Sequence, residues 1–128
     1  IPLIVKLSPA GKLLWEKDLR KKGFMDYEGA SLAQAPDGGY LAYILSYVHP
    51  GRGATSRIVK LDTQGKILWD KNFGGDGRLN TPFAQDVRLL PQGNLSLKGH
   101  VYLKKGVMSA WSAEMDGHGK ILSDQRGR

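Results

Sequence analysis

Val59-Lys60-Leu61-Asp62-Thr63-Gln64-Gly65-Lys66-Ile67-Leu68-Trp69-Asp70-Lys71 decides the fold, because the chain contains it more than once. Val5-Lys6-Leu7-Ser8-Pro9-Ala10-Gly11-Lys12-Leu13-Leu14-Trp15-Glu16-Lys17 repeats it residue type for residue type at most positions. Ala113-Glu114-Met115-Asp116-Gly117-His118-Gly119-Lys120-Ile121-Leu122-Ser123 is a weaker third copy. The turn glycines Gly11, Gly65 and Gly119 stand 54 positions apart both times, a spacing that marks an internal structural repeat.

A second motif lies between these copies. Ala30-Ser31-Leu32-Ala33-Gln34-Ala35-Pro36-Asp37-Gly38-Gly39-Tyr40-Leu41 corresponds to Gln85-Asp86-Val87-Arg88-Leu89-Leu90-Pro91-Gln92-Gly93-Asn94-Leu95, and Pro36 to Pro91 is 55 positions. Each motif is a short apolar run, a Gly-containing turn and a second apolar run, which is the pattern of a β-hairpin. Gly11, Gly38, Gly65, Gly93 and Gly119 are expected to supply positive φ in those turns. Pro36 and Pro91 pre-set the turn where a first strand ends.

The patterning predicts strands at roughly 3–8, 12–19, 30–35, 40–48, 57–62, 66–73, 84–90, 94–103, 108–116 and 119–124, with almost no helix. Two hairpins per period make a four-stranded antiparallel unit, the blade of a β-propeller when such units stack radially. Adjacent apolar positions in Tyr40-Leu41-Ala42-Tyr43-Ile44-Leu45 and Lys66-Ile67-Leu68-Trp69 suit sheets covered on both faces. The fold class is therefore all-β: antiparallel four-stranded blade repeats of period 54 in a single repeat domain over 1–128, with a half blade at 1–19 and blades at 28–73 and 83–124. About two and a half blades cannot close a propeller, which needs at least four. An open arc, or a fragment of a larger propeller, is expected. The third copy has Ser123 in place of Trp15 and Trp69 and ends in Asp124-Gln125-Arg126-Gly127-Arg128, a polar close like that of a capping repeat.

The string Val59-Lys60-Leu61-Asp62-x-x-Gly65-Lys66-Ile67-Leu68-Trp69-x-Lys71-x-Phe73-Gly74-Gly75, with Asp37-Gly38-Gly39-Tyr40 before it, resembles the repeats of bacterial secreted and lipoprotein β-propellers. It is similar, more distantly, to pyrroloquinoline-quinone-type propeller repeats. The resemblance covers nearly the whole chain. It implies a bacterial origin and a periplasmic or extracellular location. It says little about activity, because propellers host binding, scaffolding and catalysis alike.

Composition narrows the chemistry. There are 17 glycines, an excess that fits many tight turns, and no cysteine, which excludes disulfides and thiolate chemistry. No stretch approaches the roughly 18 apolar residues of a membrane span. The start at Ile1, directly ahead of a strand, is read as a removed leader or as part of a longer polypeptide. The net charge of +7 permits attraction to acidic partners, but the basic residues are scattered apart from Arg20-Lys21-Lys22 and Lys104-Lys105.

Chemistry-bearing residue types lack the required spacing. His49, His100 and His118 lie in different motifs without metal-ligand spacing, so no metal or other cofactor is expected. Asp116, His118 and Ser123 could be assembled into a nominal triad, but no nucleophile elbow accompanies them. Gly74-Gly75-Asp76-Gly77 lacks the lysine of a phosphate-binding loop. Asp62 and Asp116 are expected to stabilise turns, and Trp15 and Trp69 to pack between blades. No catalytic residue is assigned.

Binding is therefore expected on the long connections at 20–29, 49–56, 74–83 and 103–108, since function concentrates on loops held by a rigid scaffold. The candidates are Arg20, Lys21, Lys22, Tyr27, Arg52, Arg78, Phe83, Lys104 and Lys105, with Phe24, His49 and Asn80 beside them. Arg and aromatic side chains together are what protein interfaces favour. The expectation is a non-catalytic protein-binding module, such as a small inhibitor or immunity-type protein, meeting a partner that is acidic or has a polar cleft. Two alternatives stay open. One is a fragment or subunit of a larger, cofactor-dependent propeller, with self-assembly completing the arc. The other is a binder of nucleic acid or an anionic polymer, disfavoured because the basic residues flank turns instead of interleaving with aromatics on one sheet face.

Overall fold

The computed structural model describes residues 3–20, 26–47, 54–74, 82–104 and 107–126. These form ten strands and no helix: β1 (Leu3–Leu7), β2 (Leu13–Asp18), β3 (Asp26–Gln34), β4 (Tyr40–Tyr47), β5 (Ala54–Leu61), β6 (Ile67–Gly74), β7 (Pro82–Leu89), β8 (Leu95–Lys104), β9 (Val107–Met115) and β10 (Ile121–Arg126). They make three antiparallel sheets: β1-β2, β3-β4-β5-β6 and β7-β8-β9-β10. The chain is thus a half blade followed by two four-stranded blades. The registers repeat as the sequence does. Lys6 pairs with Trp15 and Lys60 with Trp69, while Tyr40 faces Leu61 and Leu95 faces Met115.

Five hairpin turns share one geometry. In each, the glycine amide donates to the carbonyl three residues back, and the first residue of the turn donates to the carbonyl four residues on, as in Gly65 N to Asp62 O and Asp62 N to Lys66 O. This is a type I turn closed by a bulge, and it needs a left-handed residue at its fourth position. All five expected glycines fill that position, with φ between 84° and 94°.

Several strand limits differ from the sequence-based expectation. β3 starts at Asp26, β5 at Ala54 and β7 at Pro82, and β10 runs to Arg126. A hydrogen-bond ladder extends as long as a neighbouring backbone is present, whatever the polarity of the side chains. The adjacent apolar pairs in the fourth strand type also have a different cause. Leu14, Leu68 and Leu122 are extra residues of a second bulge, since Leu61 pairs with Ile67 and Lys60 with Trp69, leaving Leu68 unopposed. Each of these leucines is about half exposed. In β4, by contrast, Leu41, Ala42 and Ile44 are all buried, as a sheet covered on both faces requires.

Two apolar layers join the three sheets. Ile4, Leu19, Ala42, Ile44, Val59 and Leu61, with Trp15 and Tyr40 packed beside them, join the half blade to the second sheet. Leu41, Ile58, Leu95, Leu97, Trp111 and Met115, with Tyr43 and Trp69, join the second sheet to the third. The tryptophans act as expected at these junctions. Trp15 lies over the Gly65 turn and donates to Thr63 O, and Trp69 lies over the Gly119 turn and donates to Gly117 O. Both rings are half-buried, because each covers a turn at the rim instead of entering the centre of the layer.

Candidate functional site

The two ends of the arc are chemically opposite, and the repeat makes the difference measurable residue by residue. Each blade has one face toward the preceding sheet and one toward the following sheet. In the second blade the following face carries Leu41, Tyr43 and Ile58, which pack on the third blade. The equivalent positions of the third blade are Ser96, Lys98 and Ser112, fixed by the pairings Tyr43↔Ile58 and Lys98↔Ser112. Ser123 replaces Trp69 on the same face. The outer face of the third blade is therefore polar. It bounds a concavity of about 610 Å³ whose lining includes Gln85, Asp86, Lys98, His100 and Ser112.

The other end is apolar. β1 corresponds to β5, the third strand of a blade, yet it pairs only with β2. Among the described residues nothing lies on its other edge. Its outward side chains Leu3, Val5 and Leu7 are each about half exposed, whereas Val59 and Leu61, the equivalents of Val5 and Leu7, are fully buried. Beside the free edge lies a cleft of about 230 Å³ lined by Leu3, Ile4, Val5, Leu19, Ser31, Leu32, Ala42 and Ile44. Leu32 in this cleft is 52% exposed. Its equivalent in the third blade, Val87, is half-buried and packs against the layer that contains Leu41, Ile58, Leu95 and Leu97.

Polar groups hold this end in place from below. Arg57 is buried and grips Asp70 through Nε and Nη2, with an Nη2–Oδ2 distance of 2.7 Å. Its Nη1 donates to Leu19 O at the end of the half blade. The third blade places Trp111 and Asp124 at the positions of Arg57 and Asp70, and Trp111 Nε1 donates to Asp124 Oδ1 at 3.0 Å. Lys60 is also buried and reaches Asp37 Oδ1 at 2.9 Å. That contact, followed by the Gly39 amide, lowers the Asp37 pKa. At the junction of the two full blades Tyr43 Oη donates to Ala84 O and Ala84 N donates to Ser56 Oγ. Burial raises the Tyr43 pKa.

The sequence-selected residues do not converge on one described site. Arg20 follows β2 and is bound to Asp18 through its amide and guanidinium, which lowers the Asp18 pKa. Tyr27, Phe83 and Lys104 were expected in connections but belong to β3, β7 and β8, opposite Ser46, His100 and Val107. The strand ladders reach further toward that face than the apolar runs do. Lys21, Lys22, Arg52, Arg78 and Lys105 lie outside the described residues, as do Phe24, His49 and Asn80.

Asp116 Oδ1 accepts the amides of His118 and Lys120, so its carboxylate serves the turn. Among the described residues no group of three or more His, Cys, Asp or Glu side chains is arranged to hold a metal, and no helix is long and apolar enough to cross a membrane. The sequence reading missed the cleft at the β1 edge. Its signal was the apolar series Leu3, Val5 and Leu7, whose equivalents Val59 and Leu61 lie in a four-stranded sheet. No family model matches the chain, and no curated protein matches it.

Proposed function

We propose that the protein is a non-catalytic protein-binding module that meets its partner at the half-blade end of the arc. One observation carries this reading: the outward face of the third blade is polar, with Ser96, Lys98 and Ser112, whereas the outward face of the half blade exposes Leu3, Val5 and Leu7. A surface that only faces water gains nothing from Leu3, Val5, Leu7 and Leu32, and exposed apolar groups gathered at one place mark interaction sites. The resemblance of the repeats to secreted propellers supports placing the encounter in the periplasm or outside the cell. The basic and aromatic residues of the long connections would then form a second contact region for an acidic partner.

A second reading is favoured by the free edge of β1: the chain is one part of a larger blade assembly. Site-specific photo-crosslinking tests the first reading directly. A photoreactive residue at Val5 should capture a defined partner from the source extract, while one at Lys98 should not. Capture at Lys98 alone, or at neither position, would overturn it.

A further inference from the structure

We propose that the end of the arc carrying the glycine turns is a contact face for an anionic lipid surface, with Leu14, Leu68 and Leu122 as its inserted side chains. These three are the extra residues of the second bulge in β2, β6 and β10, and they are exposed to 53%, 53% and 50%. Leu68 shows that this exposure belongs to the repeat and not to where the chain begins or ends. Its sheet is packed between the half blade and the third blade, with Ile67 in one layer and Trp69 in the other, yet Leu68 enters neither. Single exposed apolar residues are ordinary on a protein surface. The same leucine at the same bulge, equally exposed in three copies of a repeat, is not.

The topology gathers these residues at one end. Each leucine follows a glycine turn by three residues, and neighbouring turns lie side by side: the Trp15 ring covers the Gly65 turn and the Trp69 ring covers the Gly119 turn. Two residues before each leucine stands an exposed lysine, Lys12, Lys66 or Lys120. None of these three ammonium groups is ion-paired to a carboxylate among the described residues. The acidic groups of the same end are already engaged. Asp62 and Asp116 accept amides of their own turns, and Asp37 is paired with Lys60.

This pattern fits a bilayer better than a protein. Each leucine stands on its own blade beside its own lysine, so a protein partner would need pockets matched to the spacing of the repeat. A fluid surface needs no match: each apolar side chain enters the headgroup boundary where it stands, and the lysine beside it meets a lipid phosphate. The net charge of +7 draws the whole chain to such a surface. A second copy would bring the same three cations against these. The face is distinct from the apolar half-blade end, so its test stands apart from crosslinking at Val5.

The full chain is co-sedimented with vesicles of phosphatidylcholine, alone or mixed with phosphatidylglycerol. Binding should be about tenfold tighter or more to the anionic vesicles and should weaken as salt rises. Leu14→Ser/Leu68→Ser/Leu122→Ser and Lys12→Gln/Lys66→Gln/Lys120→Gln should each weaken it about tenfold, with the urea midpoint little changed because all six positions are exposed. Leu103→Ser/Met108→Ser, at the opposite end of the strands, should bind like the unaltered chain. Brominated lipid should quench Trp15 and Trp69, the neighbours of Leu14 and Leu68, more than the buried Trp111, which decides the matter even if a variant fails to fold. Equal binding to both vesicle types, no binding, unchanged binding of the leucine variant, or quenching of Trp111 alone would overturn the proposal. So would a photoreactive residue at Leu68 that captures a protein and no lipid from source extract mixed with anionic vesicles, because the rim would then be a protein-docking surface.

Discussion

Ser8, Asp62 and Asp116 occupy one repeated position and perform one task there. The Ser8 hydroxyl accepts the Lys12 amide, and Asp62 and Asp116 accept the amides of Lys66 and Lys120 together with those of Gln64 and His118. Those hydrogen bonds to the ionised form lower both aspartate pKa values from 3.8, with the amide four residues on as the largest cause. A carboxylate whose folded pKa is lowered contributes stability that is present above its unfolded pKa and is lost as pH falls through the folded value. The urea midpoint should therefore fall as pH drops below about 4. The double variant Asp62→Asn/Asp116→Asn should flatten that fall, since Asn keeps an acceptor without titrating. An unchanged acid profile in the double variant would show that these turns do not set it.

Glycine at the same turns offers a paired measurement. Gly11 and Gly65 have the same φ of 85°, but a Cβ on Gly11 meets nothing, whereas one on Gly65 would come within 2.8 Å of the Trp15 ring. Gly11→Ala should cost about 1 kcal/mol from the left-handed backbone alone. Gly65→Ala should cost roughly 1 kcal/mol more, because the ring must shift. Equal losses on chemical denaturation would mean that Trp15 does not hold the turn.

At the scale of elements, the blades are tied by side chains that reach across sheets. Arg57 on β5 joins β6 through Asp70 and the half blade through Leu19 O. Truncating it would leave the Asp70 carboxylate without its guanidinium and free the end of β2. Arg57→Ala should cost about 3 kcal/mol, the low end for a broken buried pair, since Asp70 keeps some contact with water. Amide exchange in β1 and β2 should accelerate more than in β8 and β9, whose equivalent tie is the separate Trp111–Asp124 bond. A loss below about 1 kcal/mol with uniform exchange would place the tie elsewhere.

For the whole molecule, the chain is an arc with one end made compatible with water. Ser96, Lys98 and Ser112 stand where the second blade has Leu41, Tyr43 and Ile58. The substitution set Ser96→Leu/Lys98→Tyr/Ser112→Ile should rebuild a stacking face on the third blade. Paired with the apolar half blade of another copy, it makes a head-to-tail contact that does not close on itself. Sedimentation should then show association growing with concentration, with no limiting dimer. A variant whose association did not exceed that of the unaltered chain would mean that side-chain polarity at these three positions is not what caps the end.

The sequence by itself determined the strands, the turn glycines, the period and the pairing of hairpins, because each depends on residues close together in the chain. The Gly65 turn is marked by its own glycine and by the apolar runs at Ile58-Val59 and Ile67-Leu68-Trp69 on either side of it. Trp15 and Trp69 could be placed at blade junctions from their spacing. The reach of the ladders to Asp26, Ala54, Pro82 and Arg126 was not legible, because it depends on a neighbouring backbone and not on local polarity. The bulge at Leu68 read as two-faced burial, because it shows only as a register shift against the neighbouring strand. Tertiary structure alone decided that Leu32 is exposed while Val87 is covered, and that Leu3, Val5 and Leu7 are bare while Val59 and Leu61 are buried. Burial is a property of what lies opposite, and equivalent residues in a repeat diverge wherever one has a neighbouring sheet and the other does not.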